Sequence, residues 1–167
     1  AFTRKQTRRV AWNMKYSVRQ NDYDEYASTR THTGTLGLSA ELAPTVNLTL
    51  SAGPAYVEED DYVGYDIAAN IAKRFEKNLL TASYSHRTSD STGLGSASES
   101  HQGMLGFSQM LGRYWSISFQ ASAFNQTQRD TDMYDYYGVR GSMSISRNLG
   151  EHWVLSGGGS YMTYLGR

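Results

Sequence analysis

The sequence of 167 residues contains no cysteine, only two prolines and no long hydrophobic run. Without cysteine the chain can form neither a disulfide framework nor a thiolate metal site. No segment approaches the roughly 18 consecutive apolar residues that a membrane-spanning helix needs. These absences exclude a disulfide-stabilised domain and a helical membrane protein.

An excess of charge of one sign is also missing, because 16 Lys and Arg residues balance 16 Asp and Glu residues. A nucleic-acid-binding domain usually carries a surplus of positive charge that neutralises phosphates. The sequence therefore predicts no nucleic-acid partner.

Polar and aromatic residues make up much of the chain instead. Ser and Thr together number 34, Gly numbers 16, and 13 of the 21 aromatic residues are Tyr. This mixture is poor in helix-forming residues and rich in residues that suit a half-wet pleated surface. The composition and length predict one all-β domain over residues 1–167.

Apolar residues recur at every second position in about nine segments. Val46, Leu48 and Leu50 alternate with polar residues, and so do Ile117 and Phe119. A period of two is typical of a strand with one apolar and one polar face. Residues 66–75 also place apolar side chains four apart, as a helix would, but they lie where the repeating hairpins require a strand. The predicted strands are 8–19, 29–42, 46–57, 62–74, 78–88, 101–111, 114–127, 134–147 and 152–165.

The connections between these strands alternate between tight turns and longer polar segments. The longer segments, residues 20–28, 58–61, 89–100 and 128–135, hold 12 of the 16 acidic residues. In an antiparallel meander every second connection falls at the same end of the sheet. We therefore expect an acidic rim at one end of the sheet and a basic rim at the other.

Both the faces and the ends of the predicted strands point to a membrane. The second face of nearly every strand is polar, so a second sheet has little to pack against. The strands, of about 10 to 13 residues, suit a tilted transmembrane strand better than the ~5 or 6 residues common in soluble sheets. Trp115 and Trp153 lie beside tight turns, whereas Tyr56, Tyr62 and Tyr137 lie beside long connections. Aromatic residues at both ends are typical of the two girdles of a membrane barrel.

With these features the chain resembles bacterial outer-membrane β-barrel proteins. Its turn-plus-strand segments at residues 111–123 and 149–155 are similar to repeats of porin-like and exopolysaccharide-export barrels. The resemblance implies an antiparallel up-and-down transmembrane β-barrel in the outer membrane of a Gram-negative bacterium. Outer-membrane lipid and lipopolysaccharide would then surround the protein.

The strand count and the end of the sequence both argue against a complete barrel. Nine is an odd number, whereas bacterial single-chain barrels have an even number of strands. The sequence ends at Leu165, Gly166 and Arg167, without the terminal aromatic residue typical of such proteins. Either a further strand lies near residues 2–7, or further strands or chains complete a larger barrel. We favour the larger barrel.

Polar residues opposite the apolar face are predicted to line the lumen. A wall of hydroxyl and amide groups with few charges suits water or a neutral, sugar-like solute. We therefore predict a polar pore for small solutes or polysaccharide export. The alternative is a structural or adhesive barrel with a closed lumen and with acidic surface loops that bind partners or divalent cations. A closed lumen needs paired charges inside, and few are available. The predicted lumen-lining residues are Lys15, Thr49, Asp66, Asn70, Ser118, Gln120 and Arg140.

One acidic connection is a candidate for weak cation binding. Glu58, Glu59, Asp60 and Asp61 offer the carboxylate oxygens that hard cations prefer. The segment lacks the ligand spacing and the glycine of a dedicated calcium loop. At most a loosely bound divalent cation is predicted here.

The four histidines, His32, His86, His101 and His152, show no short ligand spacing such as HExxH. We therefore predict no metal site and no cofactor.

A hydrolase-like site is the alternative for two of these histidines. It would use His86 with Ser85, Ser89 and Asp90, or His101 beside Glu99. Serine is so common in this chain that such proximity means little, and we predict no enzymatic activity.

Overall fold

A computed structural model describes residues 2–5, 9–23, 26–58, 61–90, 97–128, 135–150 and 153–166. These residues form one antiparallel sheet of ten strands, of which nine are long and the first is short. The predicted all-β class and the nine long strands are confirmed. In chain order the strands are β1 (Phe2–Lys5), β2 (Val10–Tyr23), β3 (Tyr26–Ala43), β4 (Val46–Val57), β5 (Tyr62–Arg74), β6 (Asn78–Asp90), β7 (Ala97–Leu111), β8 (Trp115–Gln128), β9 (Asp135–Asn148) and β10 (Val154–Gly166).

Each strand pairs with its neighbours in the sequence, so the sheet is an up-and-down meander. Residues 66–75, which also fit a helical period, lie mainly in β5, where Ile67 is opposite His86 of β6. Tight turns connect β3 to β4, β5 to β6 and β7 to β8. Gly112 has a φ of 74° in the last of these turns, a conformation that glycine adopts without strain.

The strands run further into the predicted long connections than the sequence indicated. The connection predicted over residues 20–28 is wrong, because Tyr23 at the end of β2 pairs directly with Tyr26 at the start of β3. Likewise, Ser98 and Glu99, predicted to lie in a connection, belong to β7 and pair with β6. The backbone ladder therefore includes polar segments that composition alone assigns to loops.

The register brings like residues opposite one another across the sheet. Phe119 of β8 lies between Phe107 of β7 and Met143 of β9. On the other face Ser118 lies opposite Ser144, and their hydroxyl oxygens are 2.7 Å apart. Because side chains alternate between faces, this register forms one apolar face and one polar face.

The apolar face is not covered by a second layer in the described part of the chain. Met14, Leu36 and Leu105 each expose more than half of their surface. Ala55 and Val57 are the buried hydrophobic residues among those described, and they lie near one end of β4. The sheet is thus a single layer without an extensive hydrophobic core.

The sheet has two open edges. Among the described residues, β1 pairs only with β2, and β10 pairs only with β9. The short strand β1 corresponds to the further strand considered near residues 2–7. Its presence does not close the sheet, so the fold is a segment compatible with a larger barrel.

The ladder between β3 and β4 is interrupted between residues 33 and 36 of β3. Thr33 pairs with Ala55 and Leu36 pairs with Ala52, but the positions between them are skipped. Pro54 has no N–H to donate there. A Cβ added to Gly53 would overlap the backbone carbonyl of Gly34. The close approach of the two strands therefore requires glycine at position 53.

We expect Gly53→Ala to destabilise the sheet by about 1–3 kcal/mol, because the added methyl group meets backbone that cannot rotate away. Gly34→Ala is the matched control, because a Cβ at that position meets nothing within 4 Å. The free energy of unfolding from denaturant titration measures both effects. Equal losses in the two variants would contradict the close approach at Gly53.

Candidate functional site

The polar face forms a groove across β2 to β7. Four of the predicted lumen-lining residues, Lys15, Thr49, Asp66 and Asn70, line this groove together. Its volume is about 1240 Å³. Polar and apolar residues both line the groove, which is large enough for a small molecule.

The other three predicted lumen residues lie elsewhere on the sheet. Ser118 and Gln120 of β8 border a smaller depression of about 260 Å³. Arg140 lies on β9 opposite Ser122 of β8. The alternation of side chains assigns all three to the polar face, but they do not line the groove of β2 to β7.

Asp66 has a structural partner inside the groove. The β5–β6 ladder ends at the pair Ile67 and His86, and beyond it the Thr88 N–H donates to Oδ1 of Asp66 at 2.9 Å. Thr88 is buried, so its N–H needs this acceptor. The carboxylate therefore substitutes for a missing ladder bond.

The start of β5 approaches side chains of β6 at the same place. The backbone carbonyl of Tyr65 accepts a hydrogen bond from Nδ1 of His86 at 2.8 Å and one from the Thr88 hydroxyl at 3.3 Å. A Cβ at Gly64 would overlap the Thr88 side chain. The absence of a side chain at Gly64 thus allows β5 to lie closely against β6.

Two histidines and a glutamate lie together next to this contact between β5 and β6. One ligand-type atom each from His86, Glu99 and His101 lies within 4.8 Å of the other two. His86 and His101 are opposite each other in the ladder, and their ring centroids are 4.4 Å apart. Nε2 of His86 lies 3.7 Å from the Glu99 carboxylate. The cluster joins β6 and β7 toward the ends of these strands at Asp90 and Ala97.

The sequence pattern does not indicate this cluster as a unit. The spacing of 15 positions between His86 and His101 matches no short motif. The β6–β7 hairpin pairs residues whose numbers sum to 187, and this register places His86 opposite His101. Assigning residues 89–100 to a connection removed Glu99 from that register.

The structure does not place Ser85 and Ser89 next to His86, as the hydrolase-like site would require. Ser85 and Ser89 are odd-numbered positions of β6 and lie on the face opposite His86. The Ser89 hydroxyl is instead 3.1 Å from that of Ser98. The Asp90 side chain lies outside the described residues. The pairing of His101 with Glu99 is present, within the cluster above.

The candidate cation-binding segment is described only in part, since Glu59 and Asp60 lie outside the described residues. Oε1 of Glu58 is 2.6 Å from Nε2 of His32. The Tyr56 hydroxyl donates to Oδ1 of Asp61 at 3.0 Å. Both described carboxylates thus contact groups of their own chain, and weak cation binding here stays a prediction. His152 also lies outside the described residues.

No protein-family model, curated protein or solved structure matches this chain. Among the residues that the structure describes, no helix is long and apolar enough to cross a membrane.

We expect Asp66→Ala to destabilise the protein by about 1–3 kcal/mol, because the buried N–H of Thr88 loses its acceptor. Asp66→Asn should cost much less, because the amide carbonyl can accept the same bond. Denaturant unfolding of the two variants measures the difference. If both variants unfold equally easily, the negative charge and not the acceptor is what stabilises this corner of the sheet.

Proposed function

We propose that this chain forms part of the wall of a transmembrane β-barrel, with its polar face toward an aqueous pore and its apolar face toward lipid. The observation that supports the proposal most is the division of a single-layer sheet into these two faces. The groove of β2 to β7 would belong to the lumen, and small polar solutes or a polysaccharide would pass along it. The bacterial outer membrane is the proposed location, with lipid and lipopolysaccharide as neighbours.

The exposed apolar face supports a lipid environment. Leu36, Leu105 and Val139 are each more than 40% exposed and lie on strands, not in loops. Soluble monomers rarely expose contiguous apolar patches larger than a few hundred Å². Burying one such side chain is worth roughly 1.5–3 kcal/mol, so lipid contact would stabilise the whole sheet.

Hydrogen-bonded pairs of tyrosine and histidine rings extend from the middle of the strands toward the long connections, and they support an interface at that level. The hydroxyl of Tyr16 is 2.6 Å from Nδ1 of His32, and the ring of His32 also neighbours that of Tyr56. Tyr84 and His101 make a similar contact on β6 and β7, at 2.9 Å. Amphipathic rings of this kind are enriched where apolar and aqueous layers of a membrane meet.

The open edges support a larger assembly. Unpaired backbone groups are costly in lipid, where no water can satisfy them. Additional strands or chains would supply partners for β1 and β10 and complete the barrel. The alternative adhesive barrel gains no support from Glu58 and Asp61, since both carboxylates contact their own chain.

We expect nitroxide labels at Leu48 and Ile117 to be relaxed by oxygen more strongly than labels at Thr49 and Ser118, because oxygen concentrates in the bilayer core. Leu48→Arg should cost about 2–4 kcal/mol if Leu48 lies near the bilayer midplane. The measurements are power-saturation spectra and unfolding in lipid vesicles. Equal oxygen accessibility on both faces would contradict the membrane proposal.

Reversing the charge of a lumen residue should change ion selectivity in the complete assembly. Lys15→Glu places a carboxylate in the groove and should raise the cation-to-anion permeability ratio severalfold. Lys73→Glu is the control, because the Lys73 ammonium lies 5.0 Å from the ring of Phe75 near a tight turn and does not line the groove. Planar-bilayer reversal potentials give both ratios. An unchanged ratio in Lys15→Glu would contradict the lumen assignment.

A further inference from the structure

We propose that His86, Glu99 and His101 bind one divalent transition-metal ion of the zinc class. The inference differs from the sequence-based prediction of no metal site, and it does not depend on the pore. It follows from the β6–β7 register, which pairs His86 with His101 and places Glu99 two positions before His101 on the same face.

The buried nitrogen of His86 is the observation that points to a cation. His86 is 1% exposed, and its Nε2 atom has no hydrogen-bond partner among the residues that the structure describes. Its Nδ1 lies 2.8 Å from a backbone carbonyl, which can only accept, so Nδ1 carries the hydrogen. In the neutral ring Nε2 then presents a lone pair toward the Glu99 carboxylate, 3.7 Å away. Two electron-rich groups that face each other, of which the His86 ring is buried, are stabilised by a positive ion between them.

Each of the three proposed ligand side chains also has a hydrogen-bond partner that orients it. The Tyr65 carbonyl orients His86, the Tyr84 hydroxyl contacts Nδ1 of His101, and the Tyr62 hydroxyl donates to Oε1 of Glu99. Metal-binding histidines usually engage their second ring nitrogen in this way, which orients the ring and increases its basicity. The hydrogen bonds at both Nδ1 atoms leave the two Nε2 atoms for a metal.

Metal binding requires the ligand atoms to move closer to one another. Ligand atoms about 2.1 Å from a tetrahedral zinc ion are about 3.4 Å apart, whereas the three atoms here lie within 4.8 Å of one another. Side-chain rotation of Glu99, whose side chain is 31% exposed, brings its carboxylate closer. A water molecule from the interfacial layer, the level at which Tyr84 and His101 are proposed to lie, would complete the coordination.

The donor set selects the class of metal. Two imidazoles and one carboxylate suit zinc, copper, nickel and iron, whereas calcium and magnesium prefer a shell of oxygen ligands. The ion would connect β6 and β7 toward the ends of these strands at Asp90 and Ala97, and Tyr62 and Tyr65 would link it to β5. The bound ion would therefore stabilise β5, β6 and β7 where they contact one another around His86.

The test is titration of the folded chain in detergent with Zn²⁺ alone and with Co²⁺, whose visible absorption reports coordination. We expect binding of one ion per chain, released by chelator, and no competition from Ca²⁺ or Mg²⁺. Glu99→Gln and His101→Gln should each weaken Zn²⁺ binding by about tenfold or more. Circular dichroism of each variant checks that the strands are retained.

His32→Gln is the matched control. His32 also lies beside tyrosine and glutamate, but both of its ring nitrogens already have hydrogen-bond partners. This variant should bind Zn²⁺ as the parent chain does. Absence of a Co²⁺ band in the folded parent, or unchanged Zn²⁺ affinity in folded Glu99→Gln and His101→Gln, would overturn the proposal. A His86 ring that NMR shows doubly protonated with Zn²⁺ present would also overturn it, in favour of an ion pair with Glu99.

Discussion

The antiparallel hydrogen-bond ladder is the interaction on which the rest of the structure depends. In a single layer no second sheet holds the strands, so each long strand is stabilised mainly by its neighbours. The same ladder decides the chemistry of both faces. It places Ser116 opposite Ser146 and Ile117 opposite Ile145, and a slip of one residue would exchange the faces. Polar groove, apolar face and histidine cluster all follow from one register.

Much of this fold could be predicted, because alternation is a local property of the sequence. The strand predicted around Ile67 is confirmed, since hairpin periodicity indicates a strand there although helical spacing is also present. The extent of the strands was less accessible. Gln20 and Asn21 have the composition of a loop, yet they pair with Arg30 and Thr29. Backbone groups form the ladder whatever the side chains are, so polarity does not mark where a strand ends.

The sites are harder to predict from sequence. They depend on the curvature of the sheet and on backbone groups that bond to side chains instead of to the backbone of a neighbouring strand. Alternation assigned Lys15 and Gln120 to the same face, but only the bend of the sheet decides that Lys15 lines the large groove. The histidine cluster needs two further facts. The β6–β7 pairing must continue past His86 to Glu99, and the Tyr65 carbonyl must accept from His86. Neither fact has a signature in composition or spacing.

The strictly sequential order of the strands also affects how such a sheet can fold and how its number of strands can change. Every described pairing joins strands that follow one another along the chain, so the contact order is low for a sheet of this size, and each hairpin closes only a short loop. A hairpin already formed offers its edge to the next, and the sheet can grow by addition. Gain or loss of a whole hairpin would leave the other pairings unchanged. The circumference of a barrel built from this sheet, and with it the barrel's diameter, can therefore change in steps of two strands.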